Sequence, residues 1–339
     1  MGRVVLVTGV AGQLGSQTAR RLAADPAVDK VVGVDVLPPR GELAGVRFVR
    51  ADIRNPVIAK VLAVEDVDTV AHLGVYASGG RLGGAVSTKE ANVIGTMQLL
   101  AACQRAPGLR RVLLKSSTGV YGSSSRDPAV FGEHTPPQRP PTAGYAKDCA
   151  EVEGYLSGFA RRRPDIAVTV LRCADLLSAR LETPLGRYFR LPVIPRVLGF
   201  DPRLQLLHAE DALDIVQRAV THDRPGTYNV AGHGVLLLSQ AVRRLGKLWV
   251  ALPAIGFGPA GQALRRTSRV DLAPDVVDLL THGRVVDTTA VQASFGWAPR
   301  WSTARTLTDF ATEVGQGPVG ADRVRQAEQA LLASLTRGR

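Results

Sequence analysis

The chain has 339 residues, 45% of them hydrophobic and 21% charged, with a formal net charge of +12. That length can bury a sizeable core and predicts two lobes; no apolar window reaches a membrane span, since 248–258 is interrupted by Pro253 and two glycines. Aromatics at 5%, and arginines scattered except for Arg161-Arg162-Arg163, argue against a nucleic-acid surface and leave a basic one that attracts anionic ligands.

Taken in chain order, Val4-Val5-Leu6-Val7 is too short for an independent helix and suits a strand buried on both faces. Gly9, Gly12 and Gly15 follow in a G-x-x-G-x-x-G spacing, and Gln13 to Leu22 has helical apolar spacing. A strand, a glycine turn and a helix present unpaired N–H groups and a positive helix end to a phosphate. Gly9, Gly12, Gln13, Leu14 and Gly15 are therefore the candidate phosphate turn, glycine serving where a Cβ would hold a pyrophosphate away. A second buried run, Lys30 to Asp35, ends in an acid about 20 residues on, where a ribose-binding carboxylate belongs.

Arg47 to Ile53 reads as a third strand carrying Asp52 at its end, followed by a polar helix over 56–64. Asp68 to Gly74 reads as a fourth strand, Asn92 to Ala106 as a long helix, and Arg111 to Ser117 as a fifth strand with a hydroxyl-rich tip. After a Pro- and Ser-rich loop, Tyr145 to Ala160 is a helix and Ala167 to Arg172 a sixth strand. Ala209 to Thr221 is helical, and Gly226 to Val230 adds one more strand. This alternation predicts an α/β fold, a Rossmann-type doubly wound parallel sheet with a smaller C-terminal substrate lobe, and ligands at the carboxyl ends of the strands. The expected division is 1–172 plus about 204–232 for the dinucleotide domain and about 173–203 plus 233–320 for the small lobe. Residues 321–339 are expected to form a terminal helix and tail.

Three widely spaced cysteines fit a reducing compartment and suggest neither a disulfide framework nor a metal site. With the first strand beginning so early, there is no room for a signal peptide, and a cytoplasmic location is expected.

These motifs together resemble the extended short-chain dehydrogenase/reductases, the NAD-dependent epimerase/dehydratase family. The resemblance rests on the glycine turn, Asp35, Asp52-Ile53, His72-Leu73-Gly74, Asn92-Val93-x-Gly95-Thr96, Ser116 through Gly122, Tyr145, His208-Ala209-x-Asp211 and Asp287 through Pro299. It implies NAD at Asp35, with NADP disfavoured because Asp35 would repel a 2′-phosphate. It also places Asp52 and Ile53 beside adenine, and Leu73, Gly74, Asn92 and Tyr145 against the rest of the cofactor. Tyr145 would transfer the proton, and Ser117, with Thr118 beside it, would hold the substrate oxygen. A homodimer through the helices 92–106 and 145–160 is implied as well, as is a small-molecule substrate such as a sugar nucleotide.

The chain departs from that pattern at several positions. Such families place a lysine one helical turn after the tyrosine, where this chain has Cys149. Lys147, two residues on, lies roughly 200° around a helix and should face away. Thr118-Gly119 replaces the Asp-Glu pair of the dehydratases, Asp175 stands where an Asn is usual, and Leu204 replaces an arginine next to Arg203. Arg284 is either a phosphate contact or a surface residue. Three functions stay open: an epimerase or oxidoreductase acting on a carbinol, a catalytically impaired NAD-binding regulatory or assembly protein, and a carbonyl reductase for a non-sugar metabolite.

Overall fold

The computed structural model describes residues 2–77, 88–253 and 273–315. The terminal helix expected over 322–337 lies outside the described residues.

Strand β1 (Arg3–Thr8) is followed by α1 (Gln13–Ala23), β2 (Val28–Asp35), β3 (Val46–Arg50), α2 (Val57–Val64) and β4 (Thr69–His72). A π-helical turn, Glu90–Ile94, leads into α3 (Gly95–Gln104), then β5 (Arg111–Ser117), a 3-10 turn (Thr118–Tyr121), α4 (Gly144–Arg162) and β6 (Ala167–Cys173). These strands and the later β11 (Gly226–Val230) form one seven-stranded sheet in the order β11-β6-β5-β4-β1-β2-β3. Every pairing in it is parallel. Its strands read as apolar runs because helices cover both faces, and Val5, Leu6, Val32, Val34 and Val70 are fully buried. The order reverses between β1 and β4, and a cleft opens at such a switch point beyond the carboxyl ends of the strands.

Two sequence expectations change here. The third strand ends at Arg50, and Asp52 and Ile53 lie in the following turn, because the Asp52 carboxylate accepts from the Arg54 N–H at 2.9 Å. Such local side-chain bonds compete with a ladder. Helix α2, expected to be polar, buries Ile58, Val61 and Leu62.

A second apolar cluster lies beyond β6. It draws Leu177 from β7 (Asp175–Leu177) and Tyr188 and Phe189 from α5 (Pro184–Arg190). Ile194 comes from β8 (Val193–Val197), Leu204 from β9 (Arg203–Leu204) and Leu206 from β10 (Leu206–His208). After α6 (Ala209–Thr221) and β12 (Leu236–Leu237), it gains Val242 from α7 (Leu238–Arg244). Strand β13 (Leu248–Leu252) pairs with β8, and α8 (Pro274–His282) adds Leu279 and Leu280. Helix α9 (Thr289–Phe295) instead packs Val291 and Phe295 into the main core, although the sequence reading put that stretch in the small lobe. Leu307 and Phe310 of α10 (Thr303–Val314) close the second cluster.

The His208-x-x-Asp211 motif has a structural use in this arrangement. Asp211 is buried, and its two oxygens accept from the N–H groups of Arg300 and Trp301 at 3.0 Å each. His208 caps α6 through Nδ1 and stacks on the Trp301 ring at 4.1 Å. The motif fastens the C-terminal strap to the start of α6.

Candidate active site

The glycine turn forms a cradle of bare backbone. Gly9 has φ +79°, a left-handed conformation, and a Cβ on it would lie 2.8 Å from Gly74 Cα. A Cβ on Gly15 would lie 2.2 Å from the Gly9 carbonyl oxygen, so α1 can start this close to the turn only with glycine there. Gly12 caps α1 without a side-chain hydrogen bond, which leaves the first-turn N–H groups for an anion. A groove open to solvent runs from this turn past Thr8, Gly9, Asp35, Asp52, Ile53 and Gly74. Bare backbone at one end and a carboxylate at the tip of β2 fit a dinucleotide.

The expected cofactor residues separate into those that line the groove and those that support it. Asp35 lines it, its Oδ2 accepting from the Ala11 N–H at 2.9 Å and from the Tyr76 hydroxyl at 3.0 Å. Asp52 and Ile53 also line it. Asp52 is gripped by Arg54, whose Nε and Nη2 donate to Oδ2 at 2.9 and 2.7 Å. Burial pushes the Asp52 carboxyl up, but the Arg54 hydrogen bonds and charge outweigh it and hold it below the usual range. Leu73 is buried in the core and does not line the groove, while Gly74 lines it and donates its N–H to Thr8 Oγ1 at 3.2 Å. Asn92 is fully buried: its Oδ1 accepts from the Tyr76 N–H, and its Nδ2 donates to the Tyr76 carbonyl and to Asp148, each at 2.9 Å. It braces the wall of the groove instead of lining it. The side chains of Gln13 and Leu14 line a neighbouring cavity with Ser178, His208 and Asp309.

The catalytic candidates converge where β5 meets α4. Ser117 ends the strand, accepts from the Gly119 N–H at 3.0 Å and is nearly buried. Gly119 permits the first turn of α4 to come down on this corner, since a Cβ there would lie 3.1 Å from Ala146 Cβ and 3.2 Å from Ser117 Oγ. The helix start is held from the small lobe by Asp275 of α8, whose Oδ2 accepts from the Ala146 N–H at 3.2 Å. A carboxylate at that end also suits the helix dipole. Tyr145, half-buried in this first turn, accepts a hydrogen bond at 2.9 Å from Nζ of Lys115, a residue two positions before Ser117 on β5. Lys147 pairs with Glu151 at 3.7 Å, and Cys149 is buried, its thiol pushed up to about 12 by burial.

Sequence reading missed Lys115, Tyr76 and Asp275. The period of two along β5, which puts Lys115 on the side of Ser117, was a usable signal; Asp275, 129 residues from Ala146, offered none. Arg284 is not a surface residue: its side chain is 7% exposed. Its guanidinium donates to Thr118 Oγ1 at 3.1 Å, to the Gly122 carbonyl at 3.1 Å, to Ser123 Oγ at 3.3 Å and to Asp175 at 3.3 Å. Thr118 is thus engaged by Arg284, and Arg203, next to the buried Leu204, stays on the surface. Among the described residues, no three His, Cys, Asp or Glu side chains gather to hold a metal, and no helix is long and apolar enough to cross a membrane.

A parallel sheet of this order with a glycine cradle at its switch point and a Ser–Tyr corner at the tip of β5 is that of an extended short-chain dehydrogenase/reductase. The family model described as "NAD dependent epimerase/dehydratase family" matches residues 5–231, and the chain belongs to that family. An uncharacterized protein of Mycobacterium tuberculosis is 42% identical over 331 residues, covering 96% of this chain and 88% of the relative. The fold is similar to that of a UDP-glucose 4-epimerase from Thermotoga maritima, solved with UDP-glucose, at a TM-score of 0.69 and 18% identity, covering 91% of this chain and 97% of that one. A UDP-glucuronic acid 4-epimerase from Bacillus cereus, solved with NAD, is similar at a TM-score of 0.68 and 18% identity, covering 96% and 99%.

Proposed function

We propose that this protein is an NAD-dependent epimerase or oxidoreductase that acts on a carbinol through Tyr145. The observation carrying this reading is the hydrogen bond from Lys115 to Tyr145, which gives the phenol a cationic neighbour despite Cys149. The backbone of Gly9 to Gly15 would hold the pyrophosphate of NAD, Asp35 its adenosine ribose, and Asp52 and Ile53 would border the adenine. Bound NAD would take up the hydride leaving the carbinol carbon. Tyr145 accepts the hydroxyl proton as the carbon–oxygen double bond forms, and the hydroxyl of Ser117, with its oxygen already fixed by Gly119, can donate to the developing carbonyl. The faces of α3 and α4 proposed for a homodimer leave Met97 and Tyr155 exposed, with Ile94 of the preceding π-helical turn beside them in the chain, which supports self-association there.

For Tyr145→Phe the expected result is loss of reduced-nicotinamide absorbance on turnover, with NAD affinity in calorimetry within a few-fold of wild type. Equal loss of both would remove Tyr145 from this role.

A second reading, a substrate without a nucleotide diphosphate, is favoured by the Arg284–Asp175 pair. With its donors spent on Asp175, Thr118, Ser123 and the Gly122 carbonyl, this buried arginine has little left for a diphosphate. Equilibrium dialysis of the NAD-loaded protein with UDP separates the two readings. Weak binding by wild type, raised about tenfold or more in Asp175→Asn, supports a non-nucleotide substrate; tight binding by wild type restores the sugar nucleotide.

A further inference from the structure

We propose that Lys115 is the positioning residue for Tyr145: an amine brought by strand β5 that orients the phenol and supports the negative charge on its oxygen. This rests on the reading of Tyr145 as the proton acceptor.

Lys115 Nζ donates to Tyr145 Oη at 2.9 Å, so the phenol oxygen serves as acceptor on that side and its own proton is turned elsewhere. The groups around the phenol leave this amine little else to neutralise. Cys149, on the same helix, and Cys173, at the end of β6, are both buried. Burial pushes their thiols up to about 12 and about 11, so both are neutral over the physiological range. Glu153, two turns along α4, is held by Arg172 at 2.7 Å and by Ser116 Oγ at 2.5 Å. Asp148 is held by Asn92, and Asp175 of β7 faces Arg284. The carboxylates of α4 and β7 thus have their own partners, and the Lys115 ammonium faces the phenol.

Burial, with Cys149, Cys173 and Asp175 adding to it, pushes the Tyr145 phenol well above its ordinary value. A phenol in such surroundings takes up a proton from a carbinol only if a positive charge sustains its oxyanion, and an ammonium at hydrogen-bond distance is that charge. The two substitutions belong together. The thiol at 149 brings no charge to the phenol from the helix, and a long cationic side chain at 115 reaches its oxygen from the sheet. A lysine at both positions would set two ammoniums against one acceptor.

Carbon-13 NMR of ring-labelled tyrosine tests this in the full chain, with the Tyr145 signal identified by its absence in Tyr145→Phe. Lys115→Gln keeps length and hydrogen-bonding capacity but not charge. It is expected to raise the Tyr145 ionisation midpoint by about one pH unit or more, the size of effect an adjacent opposite charge has. Lys115→Arg keeps the charge and should stay near wild type. Lys115→Gln combined with Cys149→Lys, which returns an amine from the helix side, should bring the midpoint back toward wild type. An unchanged midpoint in Lys115→Gln, or equal shifts in the Gln and Arg variants, would overturn the proposal and leave Lys115 a packing residue. The titration needs neither NAD nor substrate. A wild type that binds no NAD in calorimetry would therefore count against the cofactor reading alone.

Discussion

Asp35 is contested. One of its two oxygens, Oδ2, already accepts from Tyr76, whose hydroxyl also stands 3.0 Å from the place a Cβ of Gly9 would occupy. The phenol therefore sits across the groove, and a dinucleotide lying on Asp35 has to displace it. A hydrogen bond to a carboxylate is worth about 1.5 kcal/mol net, so removing the competitor should tighten binding roughly tenfold. Tyr76→Phe is accordingly expected to bind NAD more tightly in calorimetry; weaker binding would mean that the hydroxyl contributes to the bound state. Sequence reading identified Asp35 from strand position and spacing. Tyr76 escaped it, because a tyrosine just beyond a strand end carries no spacing signal, and only the cleft brings it onto a residue 41 positions away.

At the scale of elements, the site is held by cross-links that a linear reading takes for isolated polar residues. His72, at the tip of β4, joins β1 through Thr8 Oγ1 at 2.7 Å and α3 through Thr96 Oγ1 at 2.8 Å. Burial lowers its pKa to about 4, so the folded protein keeps the imidazole neutral where the unfolded chain would protonate it. Between the ordinary histidine value of about 6.5 and about 4 the unfolded state binds the additional proton. The contribution of His72 is thus present above that window and is lost as pH falls through it. Urea midpoints measured down this range should decline, and His72→Asn, though less stable overall, should decline less steeply. An equal slope in both would assign the acid sensitivity to other groups. The same logic of cross-linking governs α4. Its tyrosine was legible as the start of a helix, but the helix is aimed by Asp275 from the small lobe and by the room Gly119 leaves over Ser117.

For the whole molecule, most of the main sheet follows from local pattern. The fifth strand, the helix 209–221 and the strand 226–230 were legible to the residue, because each is an uninterrupted apolar or periodic run with a clear break at both ends. The third strand was not, since a single Asx-type bond at Asp52 ended it early. The small lobe was legible only as a change of texture. Its cluster is assembled from pieces as short as β9 and β12, and α9 leaves it for the main core. By itself, then, the sequence determined the doubly wound sheet, the glycine cradle and the acid at the tip of β2, because each follows from apolar runs, turn residues and spacings that can be read within one strand–turn–helix unit at a time. Only the tertiary structure decided what those groups face: Lys115 on Tyr145, Asp175 on Arg284, Tyr76 on Asp35. Such pairings are made across strands and lobes, where distance in space has no fixed relation to separation along the chain.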